Sequence, residues 1–124
     1  MLLLKIYDTH LRQVILFGSY ARGDFRPDSD VDIMILLDMS DVDLKAYSQQ
    51  LSYMTYDFNL DNDLDIKPIA KSEEHFRKWA VNYPFYANIN EEGVVLYEVS
   101  SIKLSLSVSK LHTEYYSGRD YSKT

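Results

Sequence analysis

Residues 17–23 read Phe-Gly-Ser-Tyr-Ala-Arg-Gly, and residues 27–34 read Pro-Asp-Ser-Asp-Val-Asp-Ile-Met. The first segment ends a run typical of a buried strand, residues 13–17, in which every residue after Gln13 is apolar, and Gly18 stops that strand sharply. A glycine directly after a strand lets a ligand approach the backbone. Ser19, at the start of a predicted helical turn, offers N–H groups and a hydroxyl to phosphate oxygens. These residues predict half of a nucleotide site.

Asp30 and Asp32 predict the other half. They stand two positions apart at the beginning of a second strand, residues 30–37, so both carboxylates should project from the same face. Two like charges this close are costly unless a cation lies between them. Mg²⁺ takes oxygen ligands from one or two carboxylates, and two such ions held about 3.5 to 4 Å apart stabilise the attacking and leaving oxygens of an in-line displacement. The pair therefore predicts a two-metal site, with Mn²⁺ as an alternative ion.

A third carboxylate is expected on a neighbouring strand, where residues 61–65 offer Asp61, Asp63 and Asp65. Asp63 and Asp65 are predicted to share a strand face, and Asp61 to lie in the preceding loop. We favour Asp65, because Leu64 and Ile66 would anchor it in the sheet. It would help to bind one metal ion and accept the proton of the attacking hydroxyl.

Two cationic side chains near these acids allow alternative roles. Arg22 could contact phosphate or pin its loop through an acidic neighbour, and the structural role is the favoured one. Lys67 is predicted on the same strand face as Asp65, where it could neutralise that carboxylate or simply face solvent. The histidines, His10, His75 and His112, have no spacing that suggests a metal site.

The array as a whole resembles a known family. Gly18-Ser19, ten intervening residues and Asp30-Val31-Asp32 resemble the GS-x10-D-x-D signature of the polymerase-beta-like nucleotidyltransferases. The fuller pattern, Gly-Ser-x-Ala-Arg-Gly with Ser-Asp-x-Asp, is similar to the minimal nucleotidyltransferases, or MNT proteins. Asp65-Ile66 matches the third acidic strand of that family, and residues 92–98 match its closing segment.

This resemblance implies a fold, a site and a partner. The fold would be α/β (α+β), a small mixed sheet flanked by helices. The triphosphate of ATP would be held at Gly18 and Ser19, and two Mg²⁺ ions at the catalytic acids Asp30, Asp32 and Asp65. Arg22 is kept as a further candidate for nucleotide binding. Many free-standing MNT proteins are antitoxins paired with a HEPN-domain ribonuclease toxin, and the characterised type transfers AMP from ATP to a tyrosine of the toxin.

The whole-chain composition limits the other function classes. The chain has 124 residues, 46% of them hydrophobic, which suits one domain: residues 1–98 as the nucleotidyltransferase domain and 99–124 as an extension of uncertain structure. A net charge of −6 argues against direct binding to nucleic acid or anionic membranes. The absence of cysteine excludes disulfides and thiolate zinc sites, and a cytoplasmic location is expected.

The helices are predicted from periodicity and caps. A short helix precedes the first strand, and a long amphipathic helix starts at Ser40. Its apolar face holds Leu44, Tyr47, Leu51, Met54 and Phe58. Residues 64–69 predict a third strand, ended or placed at an edge by Pro68. Two further helices begin after Ser72 and at Pro84, a short strand covers residues 94–97, and Ile102, Leu104, Leu106 and Val108 fit either a strand or a helix.

Three functions compete at this stage. The first is an antitoxin that transfers AMP to a protein tyrosine. The second is a small-molecule nucleotidyltransferase of the aminoglycoside-resistance type, disfavoured because such enzymes generally carry a further drug-binding domain. The third is an antitoxin that neutralises by contact alone, since an acidic surface rich in tyrosine would suit a basic ribonuclease. A homo-oligomer is also open, with residues 99–124 as an arm toward a second copy or a toxin.

Overall fold

The computed structural model describes residues 2–99. A four-stranded sheet forms its centre, with helices packed on both faces. The strands are β1 (Leu11–Phe17), β2 (Val31–Leu37), β3 (Ile66–Ser72) and β4 (Val94–Glu98). The helices are α1 (Leu2–Tyr7), α2 (Ser19–Arg22), α3 (Asp41–Leu44), α4 (Ser48–Asn62), α5 (Glu73–Asn82) and α6 (Pro84–Glu92), with 3₁₀ turns at Asp8–His10 and Lys45–Tyr47.

The sheet is mixed, as predicted. Its strand order is β3-β2-β1-β4, with β1 antiparallel to both of its neighbours and β2 parallel to β3. Pro68 lies in the edge strand β3, which continues to Ser72, so the proline marks an edge and not the end of the strand. An edge position suits proline because it has no N–H for a ladder bond.

The core has two layers, one on each face of the sheet. Val14 and Ile35 face α1, α3 and α4, in a cluster with Tyr7 and Leu51 among others. Their chain neighbours Ile15, Met34 and Leu36 face the opposite way and pack with Phe76 of α5 and Ile89 of α6. Successive strand residues point to opposite faces, so an unbroken apolar run buries both sides of a central strand.

The long helix predicted from Ser40 is present but is divided by the 3₁₀ turn. The Ser40 hydroxyl accepts a hydrogen bond from the Asp43 N–H at 3.1 Å, which is the predicted N-cap. Leu44 and Leu51 are buried as expected. The prediction of an amphipathic helix is wrong for the face of α4 that points away from the sheet. That face is not polar, because it exposes Tyr53, Tyr56 and Leu60.

Ser72 caps α5 by accepting a hydrogen bond from His75 N–H, and Pro84 occupies the first turn of α6. Both features were predicted. No helix among residues 2–99 is long and apolar enough to cross a membrane. The alternatives for residues 102–108 lie outside the described residues.

Candidate active site

One edge of the sheet gathers the predicted site residues. Because β1 is antiparallel to β2, the end of β1 meets the beginning of β2, with Phe17 paired to Asp32. Because β2 is parallel to β3, the beginnings of those two strands also meet, with Val31 paired to Ile66. Gly18 directly follows β1, Asp30 and Asp65 directly precede β2 and β3, and Asp32 is the second residue of β2. Topology therefore brings together four residues that are up to 47 positions apart in sequence.

Gly18 is in the left-handed region, with φ +79°, between β1 and α2. A Cβ atom at this position would overlap the carboxylate oxygen Oδ2 of Asp32. The Asp32 carboxylate therefore lies directly against the Gly18 backbone, in the space that a side chain would take. Glycine is required here by both its torsion and the close approach.

The first turn of α2 follows at once. The Gly18 carbonyl accepts hydrogen bonds from Ala21 N–H and Arg22 N–H, both at 3.1 Å. The N–H groups of Ser19 and Tyr20, as the first of the turn, have no carbonyl one turn earlier in the helix to bond. They and the Ser19 hydroxyl are donors that directly follow Gly18, the residue against which the Asp32 carboxylate lies.

The loop from α2 to β2 is held by local contacts. Tyr20 and Phe25 stack with ring centroids 4.3 Å apart, and Arg26 N–H donates to the Ser29 hydroxyl at 2.7 Å. Arg22 Nε lies 3.4 Å from Asp24 Oδ2. This ion pair is the loop-pinning role favoured for Arg22, although Arg22 also lines the cleft described below.

Asp30 and Asp65 are in direct contact. A hydrogen bond between their carboxyl groups raises the pKa of Asp30 and lowers the pKa of Asp65. Lys67 Nζ lies 3.3 Å from Asp65 Oδ1 and further lowers the pKa of Asp65, which agrees with the neutralising role considered for this lysine. The Asp65 carbonyl also accepts Val31 N–H at 2.9 Å, which fixes the residue to the start of β2.

The two alternative acids lie elsewhere. Asp61 belongs to α4, so its predicted place in a loop is wrong. Asp63 ends α4 in the left-handed conformation, with φ +54°, and β3 starts only at Ile66. The expectation that Asp63 and Asp65 share a strand face is therefore also wrong. Aspartate tolerates this helix-terminating conformation better than most residues, which explains an acid at position 63 without any ligand.

The donor chemistry at this edge fits a divalent cation. Within residues 2–99, no group of three or more His, Asp or Glu side chains is arranged so that it could hold a metal ion. Asp30 pairs with Asp65, while Asp32 lies against Gly18. The raised pKa of Asp30 reflects the cost of holding its carboxylate beside that of Asp65, and a cation between the two would offset that cost. Carboxylate oxygens are also the ligands that Mg²⁺ prefers.

A cleft of about 290 Å³ opens beside Gly18 and Asp32. Its far wall is α6, which contributes Phe85, Asn88 and Glu92, residues that share one helical face. Phe85 also packs edge-to-face on Phe17, with centroids 5.9 Å apart. No role for these three residues was predicted from the sequence. Their spacing of three and then four residues places them on one face of a helix, but only the fold brings that helix to the site.

A second cleft, of about 590 Å³, lies at the opposite edge of the sheet. Its lining includes Leu37 and Ser72, the last residues of β2 and β3, and none of the predicted site residues. Beside it, Asp41 accepts hydrogen bonds from Ser72 N–H at 2.8 Å and contacts His75 Nδ1 at 2.7 Å. These contacts tie α3 to β3 and α5.

Comparison with known proteins identifies the family. The family model described as nucleotidyltransferase domain matches residues 3–105. The chain belongs to the nucleotidyltransferase domain family. This confirms the resemblance drawn from the Gly18-Ser19 and Asp30-Val31-Asp32 pattern.

Two similar proteins of Methanocaldococcus jannaschii have related names. The chain is 38% identical over 91 residues to "Putative protein adenylyltransferase MJ0604" of Methanocaldococcus jannaschii, a match that covers 73% of this chain and 83% of the relative. A 27-residue segment is 67% identical to "Putative protein adenylyltransferase MJ0141" of the same organism, over 22% of this chain and 27% of that protein. Among solved structures, "Crystal structure of the toxin-antitoxin with AMP-PNP" aligns over 94% of this chain and 86% of that chain, with a TM-score of 0.43 and 18% identity.

Proposed function

We propose that this nucleotidyltransferase moves AMP from ATP to a hydroxyl group, and that the acceptor is a tyrosine of a HEPN-domain ribonuclease toxin, for which it acts as antitoxin. The observation that carries the transfer chemistry is that one edge of the sheet holds both the Asp30–Asp65 pair and, against Gly18, the Asp32 carboxylate. Protein as the acceptor class is supported by the 38% identical relative, whose name is protein adenylyltransferase. The toxin partner rests on the MNT-like motif.

In the proposed reaction, the acceptor oxygen attacks the α-phosphorus of ATP, the bond from that phosphorus to the β-phosphate oxygen breaks, and pyrophosphate leaves. Asp65 accepts the proton of the hydroxyl. As an ionised carboxylate, it can receive a hydrogen bond from the acceptor hydroxyl before it takes the proton. Asp30, Asp32 and Asp65 would hold Mg²⁺, which when bound neutralises phosphate charge and polarises the reacting oxygens.

The remaining site residues bind the nucleotide. The N–H groups of Ser19 and Tyr20 and the Ser19 hydroxyl would donate to phosphate oxygens, in the gap kept open by Gly18. The cleft walled by α6 would take the nucleoside, and its volume of about 290 Å³ is near the lower end of ordinary ligand pockets. Phe85 offers an apolar face and Asn88 a donor and an acceptor to the base.

The test begins with a search for a HEPN-domain ribonuclease in the neighbouring reading frame. It continues with a transfer assay that contains this ribonuclease, Mg²⁺, and ATP labelled either at the α- or at the γ-phosphate. We expect label on the ribonuclease only from α-labelled ATP, because AMP and not phosphate is transferred. The double variant Asp30→Asn with Asp32→Asn should lose at least about a thousandfold in rate, as expected when charge stabilisation of a transition state is removed. Label transfer that survives in this variant would contradict the proposed carboxylate chemistry.

The same double variant separates catalysis from neutralisation by contact. If AMP transfer is the antitoxin mechanism, the variant should fail to protect cells from the ribonuclease while still forming a complex with it. Full protection without label on the ribonuclease would establish the contact mechanism instead.

Nucleotide binding should also depend on a divalent ion. The site carries the carboxyls of Asp30, Asp32 and Asp65 where the triphosphate must lie, so like charges would oppose ATP in the absence of a cation. We expect ATP affinity, measured by calorimetry, to fall by at least about tenfold when Mg²⁺ is replaced by excess chelator. Equal affinity in chelator would argue against metal-mediated binding.

A further inference from the structure

The outward face of α4 carries a stripe of large apolar side chains. Tyr53, Tyr56 and Leu60 are spaced by three and four residues and are 64%, 64% and 65% exposed. Residues at this spacing lie next to one another on a helix surface. We call these three residues the outer stripe. Leu64, 42% exposed, extends it past the end of the helix toward Asp65.

The outer stripe is not part of the core. The opposite face of the same helix packs Leu51 and Met54 against the sheet, so α4 is already anchored without Tyr53, Tyr56 or Leu60. Contiguous exposed apolar surface of this kind marks interaction sites in globular proteins, and tyrosine is one of the residues that contribute most to binding energy at interfaces.

The charges beside the outer stripe indicate which kind of partner would fit it. α4 contains Asp57 and Asp61, both exposed, and no lysine, arginine or histidine from Ser48 to Asn62. On a helical projection at 100° per residue, these acids flank one side of the outer stripe. A second copy of the chain would bring the same acids together, which disfavours self-association through this face. An apolar surface bordered by lysine or arginine would be complementary to it.

The position of the stripe relative to the site adds a second reason. α4 ends at the same edge of the sheet as Asp65, because β3 starts there after a turn of only a few residues. A partner seated on Tyr56, Leu60 and Leu64 would thus cover surface that leads directly to the paired carboxyls of Asp30 and Asp65. A protein acceptor must hold its hydroxyl at that point, and a docking surface beside the site supplies the orientation that such transfer requires.

We infer that the outer stripe of α4 is the docking surface for the protein acceptor, and that the acceptor meets it with an apolar patch bordered by basic residues. This inference rests on the proposed function and specifies which surface selects the acceptor. The stripe positions the partner and takes no part in the chemistry. It should therefore set the KM for the acceptor and leave the KM for ATP unchanged.

The chain has no cysteine, so one introduced cysteine reports on one position. The probe is the ribonuclease from the neighbouring reading frame, first mixed with the wild-type chain to measure complex formation. In Tyr56→Cys, maleimide should react readily in the chain alone and at least roughly tenfold more slowly in the complex, because the interface excludes solvent. In the control Val81→Cys, at a residue of α5 that is 78% exposed, the rate should be the same in both states.

Affinity provides the second measurement. The triple variant Tyr53→Ser, Tyr56→Ser and Leu60→Ser should weaken the complex by roughly 30-fold or more, the effect of losing at least one interface hot spot. Val81→Ser should change it less than about twofold. Asp57→Lys with Asp61→Lys should weaken the complex and reduce its salt dependence more than Glu74→Lys with Glu91→Lys, which makes the same change in net charge on α5 and α6.

Each other outcome overturns the inference. Slow labelling of Tyr56→Cys in the chain alone would mean that a second copy or residues 100–124 cover the stripe, and sedimentation would tell these two apart. Unchanged labelling and affinity in a complex that forms and transfers AMP would leave the proposed function standing and place the docking surface elsewhere. A wild-type chain that neither binds the ribonuclease nor transfers AMP to it would overturn both proposals.

Discussion

At the scale of single residues, two glycines with positive φ test the site, although their ψ angles differ, −155° at Gly18 and 8° at Gly23. Gly18 and Gly23 have φ of +79° and +84°, so alanine is strained at either position. Only at Gly18 would the new methyl group meet the Asp32 carboxylate, whereas nothing lies within 4 Å of a Cβ at Gly23. We expect each alanine variant to lose about 1 kcal/mol or more in the free energy of unfolding.

The two variants should differ in activity. Gly18→Ala displaces Asp32 and narrows the approach to the α2 N–H groups, so its rate of AMP transfer should fall by at least about a hundredfold, as expected for a misplaced catalytic group. Gly23→Ala should keep most of its activity once its lower stability is taken into account. Transfer assays at a temperature where both variants are folded would check this, and equal activities would contradict the placement of Asp32 against Gly18 as a catalytic requirement.

The residue scale is also where the sequence was most informative. The Gly18 and Asp32 positions follow from local rules, because a strand, a tight turn and a second strand are all encoded within residues 13–37. Asp65 was favoured over Asp63 because Leu64 and Ile66 flank it; Ile66 does begin β3, but Leu64 precedes the strand and is 42% exposed, so its predicted anchoring role is wrong. Asp63 ends α4 in a left-handed conformation, and the periodicity of apolar residues does not reveal this helix end. As a result Asp65 lies against Asp30, whereas Asp63 belongs to the end of the helix.

At the scale of elements, α6 supplies the wall that the sequence did not predict. Its start at Pro84 and end before Gly93 were readable from local signals, but its contact with the cleft is set by the packing of Ile89 on Ile15 and Met34 on the far side of the sheet. Such tertiary placement has no local sequence signature. The same limit applies to the outer stripe of α4, since periodicity reveals the buried face and cannot tell whether a partner covers the other.

Two asparagines on α6 test whether this helix lines the binding site for the nucleoside. Asn88 lines the cleft, while Asn90 accepts a hydrogen bond from Arg77 of α5 at 3.0 Å and faces away from it. Asn88→Ala should raise the KM for ATP by about fivefold to tenfold, the equivalent of one lost hydrogen bond, and reduce the preference for ATP over GTP. Asn90→Ala should leave KM unchanged and affect only stability. Steady-state kinetics with both nucleotides would measure this, and identical KM values for the two variants would remove α6 from the nucleotide site.

At the scale of the whole molecule, Asp41 connects three elements at the sheet edge away from the proposed site. Although burial raises the pKa of Asp41, the Ser72 N–H and His75, with Lys71 nearby, outweigh burial and lower it below its ordinary value of 3.8. An acid whose pKa is lower in the folded state contributes stability that is fully present above its ordinary pKa and is lost as pH falls through the folded value. Asp41→Asn should therefore cost about 2 kcal/mol near pH 7, the usual size for hydrogen bonds to a charged group.

The pH dependence separates this ion pair from a general loss of charge. Asp43→Asn removes the same charge from the same short helix, where Asp43 is exposed and its N–H, not its carboxylate, bonds the Ser40 cap. The difference in unfolding free energy between wild type and Asp41→Asn, measured by denaturant titration, should shrink steadily below about pH 4, while that for Asp43→Asn should be small throughout. A loss of unfolding free energy in Asp41→Asn that does not change between pH 7 and pH 3 would show that packing, and not the carboxylate charge, joins α3 to β3 and α5.

Asp41→Asn should not affect catalysis. Asp41 and its partners lie near the last residue of β2, whereas Gly18 lies near the first, so AMP transfer measured well below the melting temperature should be the same in Asp41→Asn and in wild type.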